Sequence, residues 1–268
     1  MNLRFCGLVA FSITSVAVAC SSESASDPNN SSSSSGGSGD GGGGGGGDGG
    51  GGGEGGAGGD GGGGGGGNCN DTAGTVCDDF DQGTTIASKW SQQTGGGAVA
   101  IVAQGKSAPN ALEVTVNSGG GSVYLEKEFP FTTKVHCELD MKIEALPSQG
   151  DLDLFSVTTK MSNDYYVYFA NSPQGFQFAE FCDRLPSGQS VNKKQPIAAP
   201  PVGTWFHVVF DNDGTNATLN VNGTSATLTG LAQPNGSNRN VQLGTPFSQD
   251  TNTQAKTFYD NVVCTFGN

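Results

Sequence analysis

The sequence predicts an all-β domain, a two-sheet antiparallel jelly-roll sandwich, carried behind a long segment with no fold of its own. Three observations predict it. Apolar and polar residues alternate with period two from Cys77 almost to the end, and helical periodicity is missing. Turn residues cut the apolar runs into many short strands, the pattern of a sandwich or jelly roll. The stretch before the domain is almost only Ser and Gly, with no apolar surface to repay the entropy of ordering it.

Residues 1–19 read as an export signal. Arg4 supplies a positive charge, an uncharged run extends from Phe5 to Val18, and small residues, Ala17-Val18-Ala19, precede Cys20. The apolar run is shorter than the roughly 20 residues a helix needs to cross a bilayer. The ending Ala17-Val18-Ala19-Cys20 resembles the lipobox of bacterial lipoproteins. That resemblance implies cleavage after Ala19 and a lipid anchor on Cys20. Ser21, where Asp signals inner-membrane retention, then implies an outer-membrane or cell-surface address.

Residues 20–68 hold the lipidated Cys20 and a linker whose charged residues are all acidic: Glu23, Asp27, Asp40, Asp48, Glu54 and Asp60. Such a coil has a root-mean-square span on the order of 40 Å, enough to hold a following domain clear of the lipid headgroups. Its glycines do not form a phosphate loop, because no strand precedes them and no Lys-Ser or Lys-Thr pair follows.

Residues 69–268 suffice for one domain with a real core. The net charge of the chain is −13, the domain is itself negative, and it carries no basic cluster. Nucleic-acid binding is therefore excluded. Five cysteines fall in the domain (Cys69, Cys77, Cys137, Cys182 and Cys264), and export puts them where disulfides persist. Their connectivity is not fixed by spacing. The preferred pairing joins Cys77 to Cys264, tying the domain's ends, and Cys137 to Cys182, with Cys69 free or in the place of Cys77. No C-x-x-C pair occurs and only His136 and His207 are available, so a zinc site is not expected.

The clearest strand is His136 to Ala145. Cys137, Leu139, Met141, Ile143 and Ala145 point to one face, and His136, Glu138, Asp140, Lys142 and Glu144 to the other. Phe206, Val208 and Phe210 form a second core face. Asp211-Asn212-Asp213-Gly214 turns that strand into Ala217, Leu219 and Val221, a hairpin with a Gly-bearing turn. The Asp-x-Asp-Gly string lacks the Gly position and the closing Glu of a calcium loop and reads as turn chemistry. Phe176 and Phe178 are assigned to the core.

The run Cys77-Asp78-Asp79-Phe80-Asp81 with Lys89-Trp90 resembles the opening of concanavalin A-like domains, including laminin G-like modules and the laminarinase and lichenase hydrolases. Three further segments fit in order: Ala111-Leu112-Glu113-Val114; Trp205-Phe206-His207-Val208 with Val221-Asn222-Gly223; and Phe258-Tyr259-Asp260-Asn261-Val262-Val263. The resemblance spans Cys77 to Phe266. It implies first and last strands side by side, in support of a Cys77–Cys264 bridge, and a structural calcium held by Asp260 with Asp79. It also implies a concave sheet bearing Glu138, Asp140 and Lys142. Tyr166 and Tyr168 alternate against Tyr165, Val167 and Phe169, so that one of these two sets is expected to face the same groove, and Tyr166 and Tyr168 are the candidate ligand contacts.

The related hydrolases carry Glu-x-Asp-x-Glu on one strand. Here Glu138 and Glu144 are six residues apart, about 20 Å in an extended chain, whereas a retaining pair needs about 5 Å. Lys142 stands where the second Glu belongs. No catalytic residue is assigned. A lyase using Tyr166 or Tyr168 with His136 is the remaining catalytic arrangement, and neither His has a nucleophile context. The expected function is a non-catalytic carbohydrate-binding or adhesive surface lipoprotein, its partner a polysaccharide or cell-surface glycan. The alternatives are a polysaccharide-cleaving enzyme on the same fold and a structural module that binds a surface protein.

Overall fold

The computed structural model of the chain describes residues 71–72, 74–82, 86–249 and 251–267. The expected signal segment, the lipid-bearing Cys20, the Ser/Gly linker and Cys69 lie outside the described residues.

The elements in chain order are β1 (Thr75–Asp78), the one-turn helix α1 (Ile86–Lys89), β2 (Ser91–Thr94), β3 (Gly97–Val102), β4 (Ala111–Val116) and β5 (Val123–Pro130). The long β6 (Lys134–Ala145) is followed by β7 (Asp151–Thr159), β8 (Tyr165–Ser172), β9 (Gly175–Cys182) and β10 (Val191–Pro196). Then come β11 (Trp205–Asn212), β12 (Ala217–Val221), β13 (Thr224–Leu228), β14 (Asn238–Thr245), β15 (Ser248–Gln249) and β16 (Ala255–Gly267). They form two antiparallel sheets. Sheet A runs β13-β12-β11-β6-β16-β4-β3, with β1 added on β16; sheet B runs β10-β9-β8-β7-β14-β5-β2, with β15 added on β7.

The core lies between the sheets because each strand buries its alternate residues there. From β6 these are Cys137, Leu139, Met141 and Ile143; from β11, Phe206, Val208 and Phe210; from β8, Tyr165, Val167 and Phe169; from β14, Val241 and Leu243. Phe155 and Phe178 of sheet B meet Phe210 of sheet A edge-on, with ring centroids 5.7 and 6.1 Å apart. The Tyr259 hydroxyl donates across the sandwich to Leu154 O over 2.6 Å.

The expected strand over residues 136–145 and the hairpin joining β11 to β12 both form. Val208 lies opposite Val221, and Asn212 opposite Ala217. Asp213 Oδ1 accepts from the amides of Thr215 and Asn216 at 2.7 and 2.6 Å, which is the turn chemistry expected of this string. Phe178 is buried in the core, and Phe176 packs against it. The first and last strands pair as the resemblance implies.

The disulfide pairing differs from expectation. Cys264 is bonded to Cys137, and Cys182 is a free, buried thiol. Register is the reason. Cys137 and Cys264 are direct partners across β6 and β16 with Cα atoms 4.1 Å apart, both aimed at the core. On the other side of β16 it is Val76 that faces Cys264; Cys77 faces Val263 and therefore points to the opposite side of the sheet. Cys77 is itself disulfide-bonded. Cys182 ends β9 in sheet B, beside the Asn163 carbonyl at 3.7 Å.

Candidate functional site

The sequence places Tyr166 and Tyr168 on the side of β8 opposite Tyr165, Val167 and Phe169, and the structure turns the latter three into the core. The two tyrosines therefore emerge on the outward face of sheet B. The strand register builds that face row by row. Tyr168 stands between Ser156 of β7 and Ala179 of β9, and Tyr166 between Thr158 and Phe181. Beyond Ser156 and Thr158 come Gln242 and Asn240 of β14, then Glu126 and Glu128 of β5.

Two halves result. Tyr168, Ala170 and Ala179, with Tyr166 and Phe181 against them, form an apolar cluster separate from the main core. Beside it runs a polar network. Ser156 and Thr158 donate their hydroxyls to Gln242 Oε1 at 2.6 and 3.1 Å, and Gln242 Nε2 donates to Glu126 Oε2 at 2.7 Å. Lys160 then bridges Glu126 and Asp164, at 3.4 and 3.2 Å. Asn240 stands out, because both polar atoms of its side-chain amide are buried and bonded to nothing among the described residues. Burial, and then the negative charge of Asp164, push the Tyr166 phenol well above its ordinary pKa, with Asp153 and Glu126 adding to the effect. It is a neutral donor throughout the physiological range.

Glu138, Asp140 and Lys142 do not join the tyrosines. β6 belongs to sheet A, so these side chains point outward on the opposite side of the sandwich. There they enter a ladder that contains both histidines. His136 contacts Asp211 Oδ1 at 2.6 Å and Glu138 Oε1 at 3.0 Å; His207 contacts Asp140 Oδ1 at 3.2 Å, and Asp140 Oδ2 accepts from Asn261 Nδ2 at 2.9 Å. Burial pulls the His136 pKa down, but the hydrogen bonds it donates to Asp211 and Glu138, and their negative charges, outweigh it and the net shift is upward. Lys142 packs over the Phe258 ring, 4.1 Å from its centroid, and beside Trp205. A His136–Tyr166 or His136–Tyr168 catalytic pair is therefore not formed, since its members face away from each other across two sheets.

Asp260 is surrounded by donors. Its Oδ2 accepts from the amides of Lys106 and Ser107 at 2.7 and 2.9 Å and from the Ser107 hydroxyl at 3.1 Å, and its Oδ1 accepts from the Asn261 amide. Burial pushes this carboxyl up to about 6 against the pull of those donors. Asp79 accepts from the Asp81 amide. A cation needs converging oxygens; around Asp260 it is N–H and O–H groups that converge, so these residues do not fit the expected calcium. No group of three or more His, Cys, Asp or Glu among the described residues is disposed to hold a metal ion.

Sequence reasoning missed Glu126, Ser156, Thr158, Asn240 and Gln242. Their signal was present but faint: polar residues at alternate positions inside Leu154-Phe155-Ser156-Val157-Thr158 and Asn240-Val241-Gln242-Leu243, where hydroxyls and amides pass for ordinary strand formers.

Two antiparallel sheets in this order define a jelly-roll β-sandwich of the concanavalin A-like class. Among solved structures the chain is similar to cellulose induced protein Cip1, with a TM-score of 0.51 at 15% identity over 70% of this chain and 96% of that one. It is also similar to a family 7 alginate lyase solved in complex with its substrate, with a TM-score of 0.50 at 13% identity over 69% and 95% of the two chains. At these identities the likeness is one of fold. No protein-family model matches the chain, and no curated protein matches it.

Proposed function

We propose that this chain is a lipid-anchored surface protein whose β-sandwich binds polysaccharide, without cleaving it, on the outward face of sheet B. The observation that carries the reading is the half-buried pair Tyr166 and Phe181, packed over the buried Tyr168 and set beside a row of polar side chains that comes out to Glu126 and Lys160. Sugars present apolar ring faces to aromatic side chains while polar groups fix their hydroxyls, the general layout of a small-ligand site. Asn240 adds an amide in the same row whose donors and acceptor are unused; it is fully buried in this structure, so a ligand hydroxyl reaches it only once the side chains over it move aside. Two proteins of the same fold support a carbohydrate ligand by their descriptions, one induced by cellulose and one bound to an alginate-derived substrate. The anchor rests on the sequence ending at Cys20 and on the Ser/Gly linker behind it. Absence of cleavage rests on the missing Glu-x-Asp-x-Glu strand and on the separation of both histidines from the tyrosines.

The test is binding of the purified protein to a broad glycan array. Saturable binding is expected, with about a tenfold loss in Tyr166→Ala, the scale of one lost aromatic contact. A protein that binds no glycan, or whose binding is indifferent to Tyr166→Ala and Asn240→Ala, refutes the reading.

A further inference from the structure

The same face carries an uneven charge. Four carboxylates project onto it from different elements: Glu126 and Glu128 from β5, Asp153 from β7, and Asp164 from the turn between β7 and β8. Against them stand Lys160, already shared between Glu126 and Asp164, and Lys194, on the edge strand β10 opposite Ala179. The carboxylates thus outnumber the amines, and the one amine near the centre is neutralised in place. The phenols report the same field. Burial is the largest influence on both Tyr166 and Tyr124, the latter lying two residues before Glu126 on β5; Glu126 and Asp164 raise both, against the opposing pull of Lys160 on Tyr124, and Asp153 raises Tyr166 as well. Fields from three separate elements therefore converge on the aromatic patch.

An acidic surface of this kind repels a polymer that brings a negative charge on every sugar, and it leaves the stacking and hydrogen bonding of an uncharged sugar untouched. We infer that this face selects polysaccharides built of uncharged sugars and rejects polyuronates. The inference rests on the glycan-binding role proposed for the face and adds its ligand class. It also sets the chain apart from the alginate lyase whose fold it shares, because alginate is a polyuronate.

The experiment compares binding of the purified protein to a soluble β-glucan and a galactomannan with binding to alginate and polygalacturonate, at low and at high salt. The expected result is binding of a neutral polymer that salt does not change, with the polyuronates at least about tenfold weaker at low salt. In the Glu126→Gln/Asp164→Asn variant that gap narrows. Alginate binding as tight as that of the neutral polymers, and lost in Tyr166→Ala, would overturn the charge selection while leaving the face as a glycan site. Failure of every polymer to bind would overturn the glycan-binding role and the inference together.

Discussion

Gln242 and Glu126 are joined across β14 and β5 by a 2.7 Å hydrogen bond, and the same Gln242 accepts from Ser156 and Thr158 on its other side. One amide thus ties three strands of sheet B on the face away from the core. Gln242→Leu keeps roughly the side-chain size and removes every one of these bonds. Ser156 and Thr158 are buried, so their hydroxyls are left without a partner. We expect a loss of about 1 to 3 kcal/mol in a urea denaturation series, with a matching loss of glycan affinity. A variant as stable as the parent would show that the network contributes nothing to the sheet.

The Cys137–Cys264 disulfide closes a loop spanning 127 residues of sequence. Loop-closure entropy for so long a loop corresponds to about 4 to 5 kcal/mol in the chain-entropy description. The double variant Cys137→Ala/Cys264→Ala is expected to lose several kcal/mol of stability under oxidising conditions. Cys182→Ala, which breaks no disulfide, loses only the contacts of a buried thiol. Equal melting temperatures for the two variants would contradict the pairing.

The sequence was most readable where a strand has one wet face. β6 and β11 alternate buried and exposed residues, and their core faces follow from that alone, while the Gly-bearing turn after β11 gives its hairpin with β12. β7 and β14 bury nearly every residue on both sides, so burial no longer alternates and the binding face carried no strong signal. The disulfides were illegible for another reason. Whether Cys77 or Val76 faces Cys264 is a matter of one residue of register, which sequence spacing does not encode. The same applies to which sheet β6 enters: its outward carboxylates were read correctly as outward, and only the sheet order shows that they lie on the far side from Tyr166.

His136 gives a pH dependence with a definite sign. Its folded pKa lies above the ordinary 6.5 because Asp211 and Glu138 both accept from the imidazolium. A raised pKa means the folded state holds the proton more tightly than the unfolded chain. The stabilisation is therefore complete below about pH 6.5 and is lost as pH rises through the folded value. The ring is substantially exposed, so the effect is small. Melting temperatures measured from pH 5.5 to 9 should fall across this window in the parent and fall less in His136→Gln. A parent curve that rises through neutrality would contradict the ladder geometry.

The two outward faces are separable by mutation. Glu138→Gln and Lys142→Ala act on sheet A, where Lys142 sits over Phe258 and beside Trp205. Removing that ammonium costs about 0.5 to 2 kcal/mol of stability but touches no group on the face that holds Tyr166. Glycan affinity is therefore expected to be unchanged in both variants. Tyr166→Ala, on sheet B, is expected to lower affinity by about tenfold, and because its partly buried ring packs on Tyr168, Ala170 and Ala179 it also costs some stability. Isothermal titration of the three variants against one bound glycan, with a thermal melt of each, decides between the faces. Loss of affinity in Glu138→Gln and Lys142→Ala with Tyr166→Ala unaffected would transfer the ligand to sheet A, where the histidines would then stand beside it and a catalytic role for them would reopen.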